Sequence, residues 1–340
     1  MVTAGLYMVT RTNVIFQHSK TMMLVVALVG AATAIFAATI AITQNDIKKV
    51  LAYSTVSQLG FMFMACGVGA FVIGIFHVMT HAFFKALMFL GAGSVIHGMH
   101  HEQDMRRMGG LKKYMPYTYM TFLAGWLAIC GIIPFSGFWS KDEILWNAAS
   151  TSVIPNGWLV WIVGTIAATC TAFYMTRLVA MTFWGKEKFL NGHQHTPGHE
   201  VHADHATPAT HAHVPHESPP SMWIPLVALA VLATIGGLIG VGPAFKFLTG
   251  SEHPGGRLNI VNYLDPIIWN SETGEFGREH AAVVSEHGAE PAATTAHGET
   301  RTAELVPAPG EAELFKEATT THEGFNLAHA AEGVLGSHLA

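Results

Sequence analysis

The sequence predicts an all-α fold, a polytopic bundle of transmembrane helices, and three observations carry that prediction. Hydrophobic residues make up 50% of the 340 positions while Asp, Glu, Lys and Arg together reach only 12%, about half the charged fraction of an ordinary soluble domain. The mean hydropathy is +0.35. Apolar segments of bilayer length follow one another along the first two thirds of the chain, and no strand pattern of consequence interrupts them. The formal charge of −5 offers no basic patch for nucleic acid. Cys66, Cys130 and Cys170 each sit inside an apolar segment and form no C-x-x-C pair, which argues against a disulfide framework, a zinc site or an iron–sulfur cluster. No Gly-rich phosphate loop follows a strand. No cofactor and no metal are therefore expected in this chain.

Met1 to Val9 is apolar but meets Arg11, leaving about 14 Å of helix, half of what a bilayer requires. Without a Lys/Arg-led start or a small-residue cleavage site it does not read as a signal peptide. It reads as the second half of a transmembrane helix whose first half is missing. Thr21 to Thr43 is an uncharged span. The polar run Asn45 to Lys49 turns the chain into a second span, Val50 to about Val68, which carries Tyr53, Ser54, Thr55, Ser57 and Gln58. Such groups bridge helices or hold water.

Phe71 to Met99 is the stretch on which a function rests. His77, His81 and Lys85 recur at i, i+4 and i+8, along one side of a helix whose other positions are apolar. A stripe of that kind faces the bundle interior, because an ammonium at the bilayer centre is unfavourable by about 3 kcal/mol or more. Two imidazoles that titrate near neutral pH beside it make a proton wire. The alternative is structural, with histidines bonding between helices and Lys85 closing an ion pair.

After a polar loop, His100 to Tyr114, the segment Tyr117 to Ala149 is longer than one span. Pro134 removes a backbone donor, and Gly131 and Gly137 loosen the chain just before Lys141, Asp142 and Glu143. This predicts a broken helix with charge at the break, which inside a membrane must be buried in protein or line a wet cavity. Lys141 would then lie within the protein on a path to the extracytoplasmic side, with Asp142 and Glu143 as counter-charges. The competing reading ends the helix at Pro134 and makes Ser140 with Glu143 an interfacial capping box.

Trp158 to Trp184 is the next span, with tryptophans near both ends. Residues 1–184 thus form a transmembrane channel-like module. Residues 185–220 form a loop whose tract His193, His195, His199, His202, His205, His211, His213 and His216 lacks the fixed spacing of a metal site and reads as a solvated insertion. Residues 221–248 give the last span. The tail, 249–340, is polar and low in complexity, and cannot bury enough apolar surface to fold alone; Leu258 to Trp269 is its one candidate for a short interfacial helix. Lys48 and Lys49, Arg106, Arg107, Lys112 and Lys113, and Lys186 and Lys188 alternate onto one face, which the positive-inside rule makes cytoplasmic. The chain is expected in a bacterial inner membrane, in contact with the lipid bilayer.

The runs QNDIKKVLAYSTVSQLGFM, FHVMTHAFFKALMFLGAGSVIHGMHHEQDMRRMGGL and GFWSKDEIL resemble subunit L, the distal member of the antiporter-like subunits of proton-pumping NADH:quinone oxidoreductase, respiratory complex I. The resemblance covers about Met1 to Leu248, and HEQDMRRMGGL looks like subunit L more than its paralogues M and N. It implies a second half-channel repeat with discontinuous helices, and a hydrophilic axis of Lys, His and Glu at mid-membrane. By resemblance Lys85 is the central axis lysine, His77 and His81 its connecting histidines, Lys141 with Asp142 the broken-helix group, and Lys48 a lysine bridging half-channels. The resemblance also implies a proton-translocating subunit with no redox centre of its own. Its partners would be the neighbouring subunit M and subunits of the J, K and N types.

Departures from that pattern matter equally. The first repeat, with its glutamate and pumping lysine, is absent, as is a histidine expected just before Met1, and no spans follow Leu248. The chain therefore reads as truncated at both ends. Two other functions stay open: the large subunit of a multisubunit sodium/proton antiporter, which shares the histidine and lysine motifs, and a truncated, non-functional membrane fragment.

Overall fold

The computed structural model describes residues 2–189, 214–240, 259–264, 267–270 and 275–276. The His-rich tract up to residue 213, the end of the last expected span and most of the polar tail lie outside the described residues. Among the described residues five helices are long and apolar enough to cross a membrane. They are α3 (Lys20–Thr43), α4 (Ile47–Gly67), α5 (Phe71–Gly98), α8 (Gly157–Val179, continued by a π turn over Ala180–Trp184) and α9 (Pro220–Ile235, continued by a 3-10 turn to Gly240). Two short helices precede them, α1 (Val2–Arg11) and α2 (Asn13–Gln17). A five-residue helix, α10 (Ile260–Leu264), falls inside the stretch expected to be interfacial, and a two-residue antiparallel pair joins Trp269–Asn270 to Glu275–Phe276.

The segment with Pro134 is two helices, α6 (Pro116–Cys130) and α7 (Ser136–Ser150). Each is about 22 Å long, too short to span alone. Gly131 ends α6 in the left-handed conformation, φ 75°, with its N–H bonded to the Ala128 carbonyl and that of Ile132 to Leu127, a terminus that suits glycine. Gly137 then lets α7 run against the Ala128 carbonyl, where a Cβ would collide. The capping-box alternative is not what the structure holds. The N-cap of α7 is Phe135, and Ser140 lies inside the helix with its side chain buried.

Helix α4 is the hub, packed on α3, α5, α7 and α8. Its contact with α3 is backbone to backbone. Added side chains at Gly60 and Gly67 would strike the main chain of Ala34 and Ala27, and one at Gly30 would strike that of Met64. Small residues permit this approach where lipid removes any hydrophobic drive to associate. The other face of α3 is exposed, with Leu28, Val29 and Phe36 outward, as a lipid-facing surface requires.

The basic loops gather at one end. Ile47 N–H donates to Gln103 O (3.1 Å) and Met105 N–H to Asn45 O (2.9 Å). Arg177 reaches the same corner, donating to Gln44 O (2.6 Å) and Asn45 Oδ1 (2.7 Å). Gly109, at φ 131°, admits the Lys186 carbonyl into the space a side chain would fill. Both ends of the loop around the His-rich tract are anchored. Glu187 meets Lys113 and Tyr114, and Glu217 accepts from the Tyr117 and Thr118 N–H groups, capping α6.

Candidate functional site in the bundle

His77, His81 and Lys85 are buried, at 0%, 6% and 5% exposure, and so is Lys141 at 5%. Lys85, His77 and Lys141 each have a contact on one stripe of α4. The Lys85 ammonium donates to the Leu51 carbonyl (3.1 Å). His77 places Nε2 3.2 Å from Gln58 Oε1. The Lys141 ammonium lies 5.4 Å from the centre of the Phe61 ring. Leu51, Ser54, Gln58 and Phe61 recur at helical spacing, so α4 carries a ladder about 15 Å tall, ten residues at 1.5 Å each. Lys85 is at the rung nearest the basic end and Lys141 at the other.

Hydrogen bonds tie the Gln58 rung to its neighbours on α5 and α7. Because the Gln58 oxygen can only accept, His77 Nε2 donates to it, and in the neutral ring Nδ1 accepts from Ser140 Oγ at 2.8 Å. Thr80 Oγ1 stands 2.8 Å from Ser140 Oγ. Gln58, His77, Ser140 and Thr80 therefore form one connected chain across α4, α5 and α7. The rings of His77 and His81 are 6.2 Å apart. Gln58 Nε2, His81 Nε2 and Ser136 Oγ are buried with no protein partner among the described residues, and polar groups in that condition bind internal water.

Lys141 corrects one expectation. Its ammonium donates to the Ile129 carbonyl (2.7 Å), one of the acceptors freed where α6 stops. Asp142 is exposed, a hundred degrees round the helix from its neighbour, and is not the counter-charge. Among the described residues the ion pairs are Arg106 with Asp104, Arg107 with Glu102 and Lys113 with Glu187; neither Lys85 nor Lys141 has one. Lys48 also stands apart. It is exposed in the first turn of α4, where Asp46 caps the helix by accepting from the Lys48 and Lys49 N–H groups. Ser140, Gln58 and Thr80 are the members that pattern reading did not assign to the site.

The described residues are thus a bundle of membrane-length helices with a discontinuous member and buried lysines and histidines between them. The family model described as NADH:quinone oxidoreductase/Mrp antiporter, TM, matches residues 1–171, and the chain belongs to that family. It is 50% identical over 258 residues to NAD(P)H-quinone oxidoreductase chain 5 of Picosynechococcus sp., covering 71% of this chain and 37% of that one. It is 47% identical over 264 residues to NADH-quinone oxidoreductase subunit L of Neisseria meningitidis, covering 75% and 38%. The chain thus spans about two fifths of the length of the curated relatives it matches. In fold it is similar to a chain of the membrane-bound sulfane sulfur reductase, an archaeal respiratory membrane complex (TM-score 0.59, 23% identity, 78% of this chain and 47% of that one). It is similar also to a chain of the Mrp complex from Dietzia sp. (TM-score 0.57, 22% identity, 77% and 51%). It is a multi-pass protein of the bacterial inner membrane, and these relatives and neighbours are parts of multi-subunit membrane complexes.

Proposed function

We propose that this chain is a proton-translocating membrane subunit of an NADH:quinone oxidoreductase, driven by electron transfer in partner subunits and carrying no redox group itself. One observation supports this above the others: two buried ammonium groups, Lys85 and Lys141, stand on a single ladder of α4 with no carboxylate paired to either among the described residues. An unpaired charge at that depth is costly enough to need a use. In this reading a proton loaded on Lys85 passes by way of His81 and His77. It then crosses the Ser140 hydroxyl toward Lys141, and once Lys85 is loaded again, repulsion between the two ammoniums through a poorly screening interior drives the proton off Lys141. Asp142 and Lys48, outside the ladder, would act at its ends or at the border with a neighbouring subunit. Those neighbours would be the antiporter-like subunit M and subunits of the J, K and N types. The relatives at 50% and 47% identity are named as quinone oxidoreductase subunits, which favours this reading over a sodium/proton antiporter.

Lys85→Arg tests it. The guanidinium keeps the charge and the bond to Leu51 but does not release its proton. In the assembled complex the variant should transport few protons while still oxidising NADH. Transport at the wild-type level would overturn the reading.

A further inference from the structure

The ladder has a gap at its second level from the Lys85 end, and a residue on α8 stands opposite it. Leu51 meets Lys85 and Gln58 meets His77, so α4 and α5 run antiparallel and residues between these contacts pair by interpolation. His81 is four residues from both Lys85 and His77, and Ser54 is three from Leu51 and four from Gln58. His81 and Ser54 therefore share a level. His81 Nε2 is buried without a protein partner among the described residues. Ser54 is fully buried and accepts from the Tyr174 hydroxyl at 2.8 Å, which also stands 3.4 Å from Thr171 Oγ1. Tyr174 itself is fully buried in α8.

Resting on the transport reading above, we propose that Tyr174 is a positioning residue of the proton path, which aims Ser54 at a buried water bridging to His81. The phenol donates to Ser54 Oγ, so the Ser54 hydroxyl hydrogen is left to turn toward that water. The water in turn completes His81 Nε2, and a polar site with two or more partners is what internal water occupies. A proton on His81 then has a hydrogen-bonded exit at Nε2, whereas its ring stands 6.2 Å from that of His77. An interhelical tie alone would need neither the shared level nor the orphaned ring nitrogen. The titratable groups around the phenol are Cys170 on its own helix and Cys130 on α6. His81 on α5 stands at the level of Ser54 and Lys85 at the next, and Lys141 on α7 lies at the far end of the ladder.

The experiment uses the assembled complex in proteoliposomes, with proton transport and NADH oxidation read together across pH. Tyr174→Phe, which keeps the ring and its packing, should lower transport about tenfold, the weight of one ordinary hydrogen bond, with the complex still assembled. Replacing Tyr174 by 3-fluorotyrosine, nearly isosteric and a stronger acid, should retain transport but move its pH profile. Transport in Tyr174→Phe equal to wild type, or a fall with an unmoved fluorotyrosine profile, would reduce Tyr174 to a structural tie and sink the proposal. Lys85→Ala measured in parallel separates the two ideas: if that variant also transports normally, the transport reading itself has failed.

Discussion

Two populations of basic residues divide this protein. At the looped end Arg106, Arg107 and Lys113 have side chains 64%, 69% and 70% exposed, each with a carboxylate within 3.2 Å. In the bundle Lys85 and Lys141 are buried and bond only to backbone carbonyls. Among the described residues ion pairs thus sit where water makes them worth least and are missing where an isolated charge costs most. A chain arranged for stability alone would do the reverse. The paired charges hold loops in register, and in the proposed reading the unpaired ones keep protons movable.

The comparison breaks most completely if the ladder loses its scaffold. Gly60→Val drives a side chain into the Ala34 backbone, and should cost more than about 3 kcal/mol of stability, seen as loss of the folded chain from detergent extracts; a normally assembled protein would contradict the packing. Next comes Lys141→Met, which should impair proton transport far more than NADH oxidation. Lys141→Glu should be worse, since it sets an acceptor against the Ile129 carbonyl. Equal transport in the wild type and both variants would leave Lys141 as a mere helix-end cap.

On the looped side effects should be smaller and confined to folding. Glu217→Ala uncaps α6 and should cost about 1–2 kcal/mol, whereas deleting 192–213 should leave transport unchanged because the anchors at Glu187 and Glu217 remain. Smallest is Asp104→Asn. Hydrogen bonds from the Arg106 side chain, then its backbone, hold the Asp104 carboxyl below its ordinary range. A lowered folded value means the contribution is complete above the unfolded pKa and fades as pH falls through the folded one. The protection factor of the Arg106 amide, its exchange relative to the unstructured chain at the same pH, should therefore be unchanged from pH 7 down to 5 in the wild type and lower in Asp104→Asn. A fall in wild-type protection already at pH 6 would contradict that sign.

Much of this arrangement is legible in the sequence because membrane helices announce themselves by length and apolarity. The His77, His81 and Lys85 stripe follows from spacing on one helix, and the α6/α7 break from Gly131 and Pro134. What pattern cannot supply are partners distant along the chain. Ser140 meets His77 across 63 positions and Tyr174 meets Ser54 across 120. The Lys141 acceptor is a main-chain carbonyl, which no residue type marks. The misplaced Asp142 counter-charge was avoidable, since neighbours on a helix point a hundred degrees apart. The distinction between the Arg106 pairs and the unpaired lysines also needs coordinates, because composition counts charges without saying which of them meet.

The most direct test sets one lysine from each population side by side. Protons moved per NADH oxidised should be measured in proteoliposomes for the assembled complex carrying Lys85→Ala or Lys113→Ala. The account predicts that Lys85→Ala assembles yet loses this subunit's share of the protons, while Lys113→Ala, having lost only an exposed ion pair, matches the wild type. A wild-type ratio in Lys85→Ala, or an equal loss in both, would contradict it.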